Sequence, residues 1–151
     1  MAEQERPTFM DHALAAAEAA GLRGEVPVGA VIVLGGTIVA AEGNRTRELR
    51  DVTAHAEIAA IRAAARVLDS ERLSDCDLYV TLEPCAMCAA AISFARIRRL
   101  YFGASDPKGG AVISGGRFFD QPTCHHAPDV YAGIGEAGAA RILKEFFALK
   151  R

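Results

Sequence analysis

Apolar positions along this chain switch between helical and strand periods, and the switches mark out its elements. Residues 8–20 carry Phe9, Ala13, Ala16 and Ala20 at helical spacing, which predicts a first helix ending at Gly21. Val28 to Leu34 is an almost unbroken run rich in β-branched residues, and Gly35-Gly36 separates it from Thr37 to Ala41. That pattern predicts a hairpin whose first strand is the more buried. Residues 43–53 are polar and hold Asn44, Arg45, Arg47 and Arg50, a loop suited to substrate contacts. Thr53 then stands as the cap of a second helix running to Leu68, with Ala54, Ile58, Ile61, Ala65 and Leu68 as its apolar stripe.

The later part of the chain repeats the alternation. Residues 76–82 read as a strand, 85–95 as a helix, 98–103 as a strand and Asp106 to Gly110 as a loop. Residues 111–128 follow no period, Val130 to Ala132 read as a short fifth strand, and Ala139, Ile142, Leu143, Phe146 and Phe147 line a final helix from Glu136. A hairpin followed by strand and helix in turn predicts a three-layer α/β/α architecture around a mixed sheet of about five strands.

Length and charge narrow the picture. At 151 residues and 51% hydrophobic content the chain can bury one core and is too short for two ordinary domains, so 1–151 reads as one domain. A net charge of −2 gives no global sign of nucleic-acid binding, so an RNA partner must be met by a local patch. Two clusters offer one: Arg96, Arg98 and Arg99, and Arg141, Lys144, Lys150 and Arg151; a solvated face is the simpler reading of both. No apolar run approaches the ~20 residues that span a bilayer, and the first residues are polar and acidic, which predicts a cytoplasmic protein without membrane contact.

The chemistry lies in two short stretches, Ala54-His55-Ala56-Glu57 and Thr81-Leu82-Glu83-Pro84-Cys85-Ala86-Met87-Cys88. Cys85 and Cys88 stand three apart behind a proline that fits the first position of a helix, so both sulfurs share one face of its first turn. Two thiolates and the His55 imidazole make a donor set suited to Zn²⁺. Three protein ligands leave a fourth position to water, whose pKa such a metal lowers to ~7, and Glu57 is the natural proton carrier for it. His55 and Glu57 are two apart and reach one point only if His55 sits at the entry turn of its helix. The pattern H-x-E followed by P-C-x-x-C is the signature of zinc nucleobase deaminases. The remaining cysteines, Cys76 and Cys124, form no disulfide framework with the pair, consistent with a reducing compartment. Cys124, His125 or His126 could instead supply a fourth ligand and close the zinc into a non-catalytic, structural site.

Over nearly its whole length the chain resembles the bacterial tRNA adenosine deaminases of the cytidine deaminase-like superfamily. The resemblance is carried by Glu25-Val26-Pro27-Val28-Gly29-Ala30-Val31, Glu42-Gly43-Asn44-Arg45, Thr53 to Ile58, Thr81 to Cys88, Phe102-Gly103-Ala104, Asp106, Lys108 and Phe146-Phe147. It implies hydrolytic conversion of the wobble adenosine of an arginine tRNA anticodon to inosine by a homodimer. It further implies zinc on His55, Cys85 and Cys88, Glu57 as proton shuttle, and Asn44 reading the base edge with the backbone of Ala56 against the purine. Asp106 and Lys108 match a loop beside the RNA, and Phe146 and Phe147 a helix that shapes the anticodon-loop site. The stretch Ala111 to Pro128 departs from the family pattern. A deaminase of free bases or nucleosides, such as guanine, cytosine or cytidine, is the rival on the same fold.

Overall fold

Strands β1 (Gly29–Leu34) and β2 (Thr37–Gly43) form the antiparallel hairpin that opens the sheet. The computed structural model describes residues 6–149. Strand β3 (Cys76–Leu82) pairs antiparallel with β1, and β4 (Arg99–Ala104) and β5 (Asp129–Tyr131) continue in parallel, giving the order β2-β1-β3-β4-β5. Helices α1 (Phe9–Leu22) and α4 (Glu136–Leu149) lie on one face, and α2 (Ala56–Leu68) and α3 (Ala86–Ala95) on the other. This is the three-layer α/β/α arrangement with a mixed sheet that the periodicity predicts.

The side-chain alternation of the strands sorts the core into two layers. Ala30, Ile32, Leu78, Val80, Leu100 and Phe102 face α2 and α3, whereas Val31 and Val33 meet Met10 and Ala13 of α1. Strand β1 is buried on both faces along most of its length, while β2 at the sheet edge is only partly covered. Tyr79, Tyr101 and Tyr131 stand in register on the α1 side and stack at 4.3 and 4.7 Å, a cross-strand ladder over β3, β4 and β5.

Several local expectations are corrected. Helix α1 does not stop at Gly21 but runs to Leu22, and it begins with a capping box between Thr8 and Asp11. Its buried face is Met10, Ala13, Ala17 and Ala20. In α2 the buried row is Ala56, Ala60 and Ala64; of the predicted row, Ala54 is buried just before the helix, and Ile58, Ile61, Ala65 and Leu68 are only partly covered. Small side chains let the helix axis lie close to the sheet, and the branched residues fill the edges of that contact. Residues 111–128 hold only a 3₁₀ turn, Phe118–Asp120, whose Phe118 and Phe119 pack against the α2/α3 layer. Among the described residues, no helix is long and apolar enough to cross a membrane.

Close approach of α1 to the sheet is fixed at Gly29. A Cβ there would overlap the carbonyl oxygen of Ala13 and come within 2.5 Å of the Ala17 nitrogen. Gly29→Ala should therefore push α1 off the sheet and cost about 3 kcal/mol. Gly116→Ala, where a Cβ meets nothing within 4 Å, should leave the urea midpoint unchanged. Equal midpoints for the two variants would show that the contact is not under strain.

Candidate active site

Each helix of the α2/α3 layer begins at a metal ligand. His55 is the N-cap of α2 (φ −68°, ψ 158°) and Cys85 the N-cap of α3 (φ −72°, ψ 175°), and neither side chain caps its own helix. Thr53 is not the cap of α2. Its hydroxyl donates to Asp51 Oδ1 at 2.6 Å and its N–H to the same oxygen at 2.9 Å, tightening the turn that delivers His55. Pro84 precedes the N-cap and so stands outside α3, not at its first helical position. Extended backbone at His55 releases its ring from the helical spacing, so it reaches the same point as Glu57 in the first turn. The positive ends of two helix dipoles converge there, which favours anionic sulfur and oxygen.

His55, Cys85 and Cys88 form a group able to hold a metal ion. The Nδ1 of His55 lies 3.6 Å from the Sγ of Cys85 and 3.6 Å from the Sγ of Cys88. Bonds of about 2.3 Å to sulfur and about 2.05 Å to nitrogen, at a tetrahedral angle, place those atoms about 3.6 Å apart, so the spacing fits zinc. Protonation agrees with a cation-ready pair of thiols. A hydrogen bond from Cys88, aided by His55, lowers the Cys85 thiol to about 4. The same Cys85 interaction, with burial, raises Cys88 well above the usual thiol range. Between them the sulfurs keep one proton, which a divalent cation displaces. The His55 ring is held above its ordinary value, mainly by its hydrogen bond to Cys85.

Glu57 is buried beside this group, and loss of solvent raises its carboxyl to about 7, against the opposing pull of its own backbone N–H. A carboxyl in that range can both take and give a proton near neutrality. Asn44, His55, Glu57, Cys85 and Asp106 line one cavity of about 340 Å³, with Val26, Val28 and Leu82 as its apolar sides. The volume is at the lower end of the range of about 300–1,000 Å³ for sites that enclose a small ligand. Asn44 Oδ1 accepts the N–H of Ala56 at 2.9 Å, so its amide nitrogen is the end left to face a ligand.

The other residues expected to contact the substrate stand outside the cavity lining. Ala56 is fully buried and its N–H is committed to Asn44. Lys108 is exposed outside the cavity lining, with its N–H on Asp106 Oδ1. Phe146 and Phe147 are away from the lining, edge to face at 5.4 Å on α4, with Phe147 exposed. Lys150 and Arg151 lie outside the described residues. Of the other basic cluster, Arg98 makes a two-pronged pair with Asp77 and Arg96 closes the end of α3. Cys124 Sγ lies 3.6 Å from Ser93 Oγ, which accepts the His126 N–H, and His126 Nε2 is 2.7 Å from the Ile97 carbonyl oxygen. These bonds pin the 124–126 segment to the far end of α3. Among the described residues, the metal-ligand group contains neither Cys124, His125 nor His126.

Two buried carboxylates escaped the reading of the sequence. Glu25 accepts the N–H groups of Arg47 and Glu48, and Glu83 those of Asp106, Val112, Ile113 and Ser114. Burial opposes charge on both, and the hydrogen bonds prevail, so each carboxyl titrates below its ordinary range. The available signal was an acid placed directly beside an apolar run: Glu25 before Val26 and Glu83 after Leu82.

Residues 3–104 match the family model of the cytidine and deoxycytidylate deaminase zinc-binding region. A tRNA-specific adenosine deaminase of Agrobacterium fabrum is 69% identical over 147 residues, covering 97% of each chain. A solved structure from a study of A-to-I editing by tRNA:A34 deaminases at the wobble position of transfer RNA is 70% identical. It superposes with a TM-score of 0.90 over 91% of this chain and 100% of that one. A guanine deaminase of Bacillus subtilis is more distant, at 31% identity and a TM-score of 0.65 over 97% and 94% of the two chains. A histidine nitrogen at tetrahedral spacing from two cysteine sulfurs, a buried carboxyl beside them and likeness along 97% of the chain lead to one assignment: this chain belongs to the tRNA-specific adenosine deaminase family of zinc-dependent deaminases.

Proposed function

We propose that this protein converts the wobble adenosine of a tRNA anticodon, that of an arginine tRNA, to inosine by hydrolysis, releasing ammonia. The observation that carries the reading is the opening of the buried Glu57 carboxyl into the same cavity as His55 and Cys85. Zinc held by His55 Nδ1 and the sulfurs of Cys85 and Cys88 supplies a Lewis acid that makes water acidic near neutral pH. Glu57 takes one proton from the attacking water and carries it to N1 of the adenine; it then takes the proton of the new C6 hydroxyl and passes it to the amine, which leaves as ammonia while the C6 carbonyl forms. Asn44, its oxygen fixed by the Ala56 N–H, turns its amide nitrogen to an acceptor on the base edge. Val26, Val28 and Leu82 give the ring an apolar seat, and Asp106 is a further polar group of the lining. An anticodon loop suits so enclosed a site, because its bases are already unstacked and cost little to extrude.

The protein acts as a homodimer in the cytoplasm, with tRNA. Support for the dimer comes from α3, where Met87, Ala90 and Ala91 are partly covered and Phe94 is 72% exposed, forming an apolar stripe at helical spacing.

In a transcribed anticodon stem-loop with adenosine at the wobble position, inosine should form, while free adenosine, cytidine and guanine remain unchanged in parallel reactions. Turnover of a free base and none of the stem-loop would reassign the substrate and keep the zinc chemistry. Glu57→Gln should retain one zinc per chain by elemental analysis and lose at least about a thousandfold in kcat. Loss of zinc in that variant would make Glu57 a structural residue instead. Equilibrium sedimentation should give twice the chain mass at micromolar concentration, with Phe94→Glu shifting it to the chain mass; a wild-type monomer would exclude the dimer.

A further inference from the structure

Glu83 has no part in the proton transfers above, yet it is 2% exposed and receives more hydrogen bonds than any other side chain of the cavity. Its Oε1 accepts from Asp106 N at 2.9 Å and Ser114 Oγ at 2.9 Å. Its Oε2 accepts from Val112 N at 3.0 Å, Ile113 N at 2.9 Å and Ser114 N at 2.9 Å. The neighbouring backbone follows the same course: Glu83 N donates to Ala104 O and Ala111 N to Pro84 O. One carboxylate thus closes the loop from Asp106 to Ser114 onto the two residues that precede the metal ligand Cys85. The fit leaves no spare volume, since a Cβ on Gly110 would overlap the Glu83 carboxyl carbon and lie 2.6 Å from the Asp106 carbonyl oxygen.

We infer that Glu83 is a positioning residue for catalysis: it ties the Asp106 wall of the cavity to the segment bearing Cys85, and so sets where the base stands relative to the metal. The inference rests on the deaminase reading of this cavity. Distance along the chain is the physical reason. Asp106 is 21 residues from Cys85 in sequence, but through Glu83 the separation becomes one side chain and two peptide units. Errors in the placement of that wall pass directly into the approach of the reacting carbon. A misplacement on the order of 1 Å in such a geometry costs about a hundredfold in rate.

Glu83→Gln tests the inference with little change of shape. A glutamine keeps its oxygen among the three N–H groups of residues 112–114 and turns its NH₂ toward the Asp106 N–H, donor against donor. Ser114 Oγ can reverse its role and accept, so the substitution unties Asp106 in particular. Gly110→Ala disturbs the same contact from the loop side. Zinc-loaded wild type and both variants are to be compared by amide hydrogen exchange and by steady-state turnover of the anticodon stem-loop.

The expected result is faster exchange across residues 105–114 in both variants, unchanged exchange in β3, and one zinc per chain. With it, kcat per bound zinc should fall about ten- to hundredfold. KM should stay within about threefold, because phosphate contacts outside the cavity carry most of the affinity for RNA. Unchanged exchange would overturn the tie itself. Faster exchange with kcat per zinc within about twofold of wild type would overturn its role in positioning. Activity lost in proportion to zinc would place the effect at Cys85 instead. Absence of stem-loop turnover by the wild type would sink the deaminase reading alone, and the exchange data would still decide whether Glu83 holds the loop.

Discussion

The His55 nitrogen must meet two sulfurs from a segment thirty residues on, each at 3.6 Å, and the arrangement of the α2/α3 layer follows from that distance. A metal cage of this size tolerates little error, so the chain delivers its ligands at the points where backbone direction is best defined. Both lie where a helix begins: α2 at His55 and α3 at Cys85. An N-cap residue has extended backbone and a side chain that ordinarily returns to its own helix. Here neither side chain does so, and the positive ends of both helix dipoles converge on the site.

Burial of charge is the second organising fact. Glu25, Glu57 and Glu83 are almost completely covered, in three different electrostatic settings. Glu25 and Glu83 are surrounded by backbone donors and stay ionised, so they act as fixed anchors for the 47–48 and 106–114 segments. Glu57 has no comparable shell, and its carboxyl rises to about 7. The same side chain serves as anchor in two places and as proton carrier in the third, and the number of N–H groups aimed at it makes the difference.

The elements were legible in the sequence because strong periods and glycine turns announce them, and the metal ligands because few residue types can do their work at such spacing. Less legible was anything decided by packing against another layer. The α2 stripe was misplaced by one row because the pattern of hydrophobicity favours Ile58 and Ile61, whereas the sheet favours the small Ala60 and Ala64. Thr53 carried the residue type of a cap, yet Asp51 engages it and the ligand takes the cap position. Residues 111–128 have no period to read, since their order depends on long-range bonds such as those from Glu83 and Ser93. Asn44 and Asp106 lie at the cavity, and Lys108, Phe146 and Phe147 lie apart from its lining.

The row Ala56, Ala60 and Ala64, flush against the sheet, has a bearing on how such a cavity can diversify. The helix offers the sheet only methyl groups, each fully buried, so the site stands on a closely packed layer. The loops that carry Val26, Thr46 and Gly109 line the same cavity outside that layer. The fold therefore separates two tasks in space: a rigid floor that fixes which bond is broken, and a replaceable rim that decides which molecule may present it.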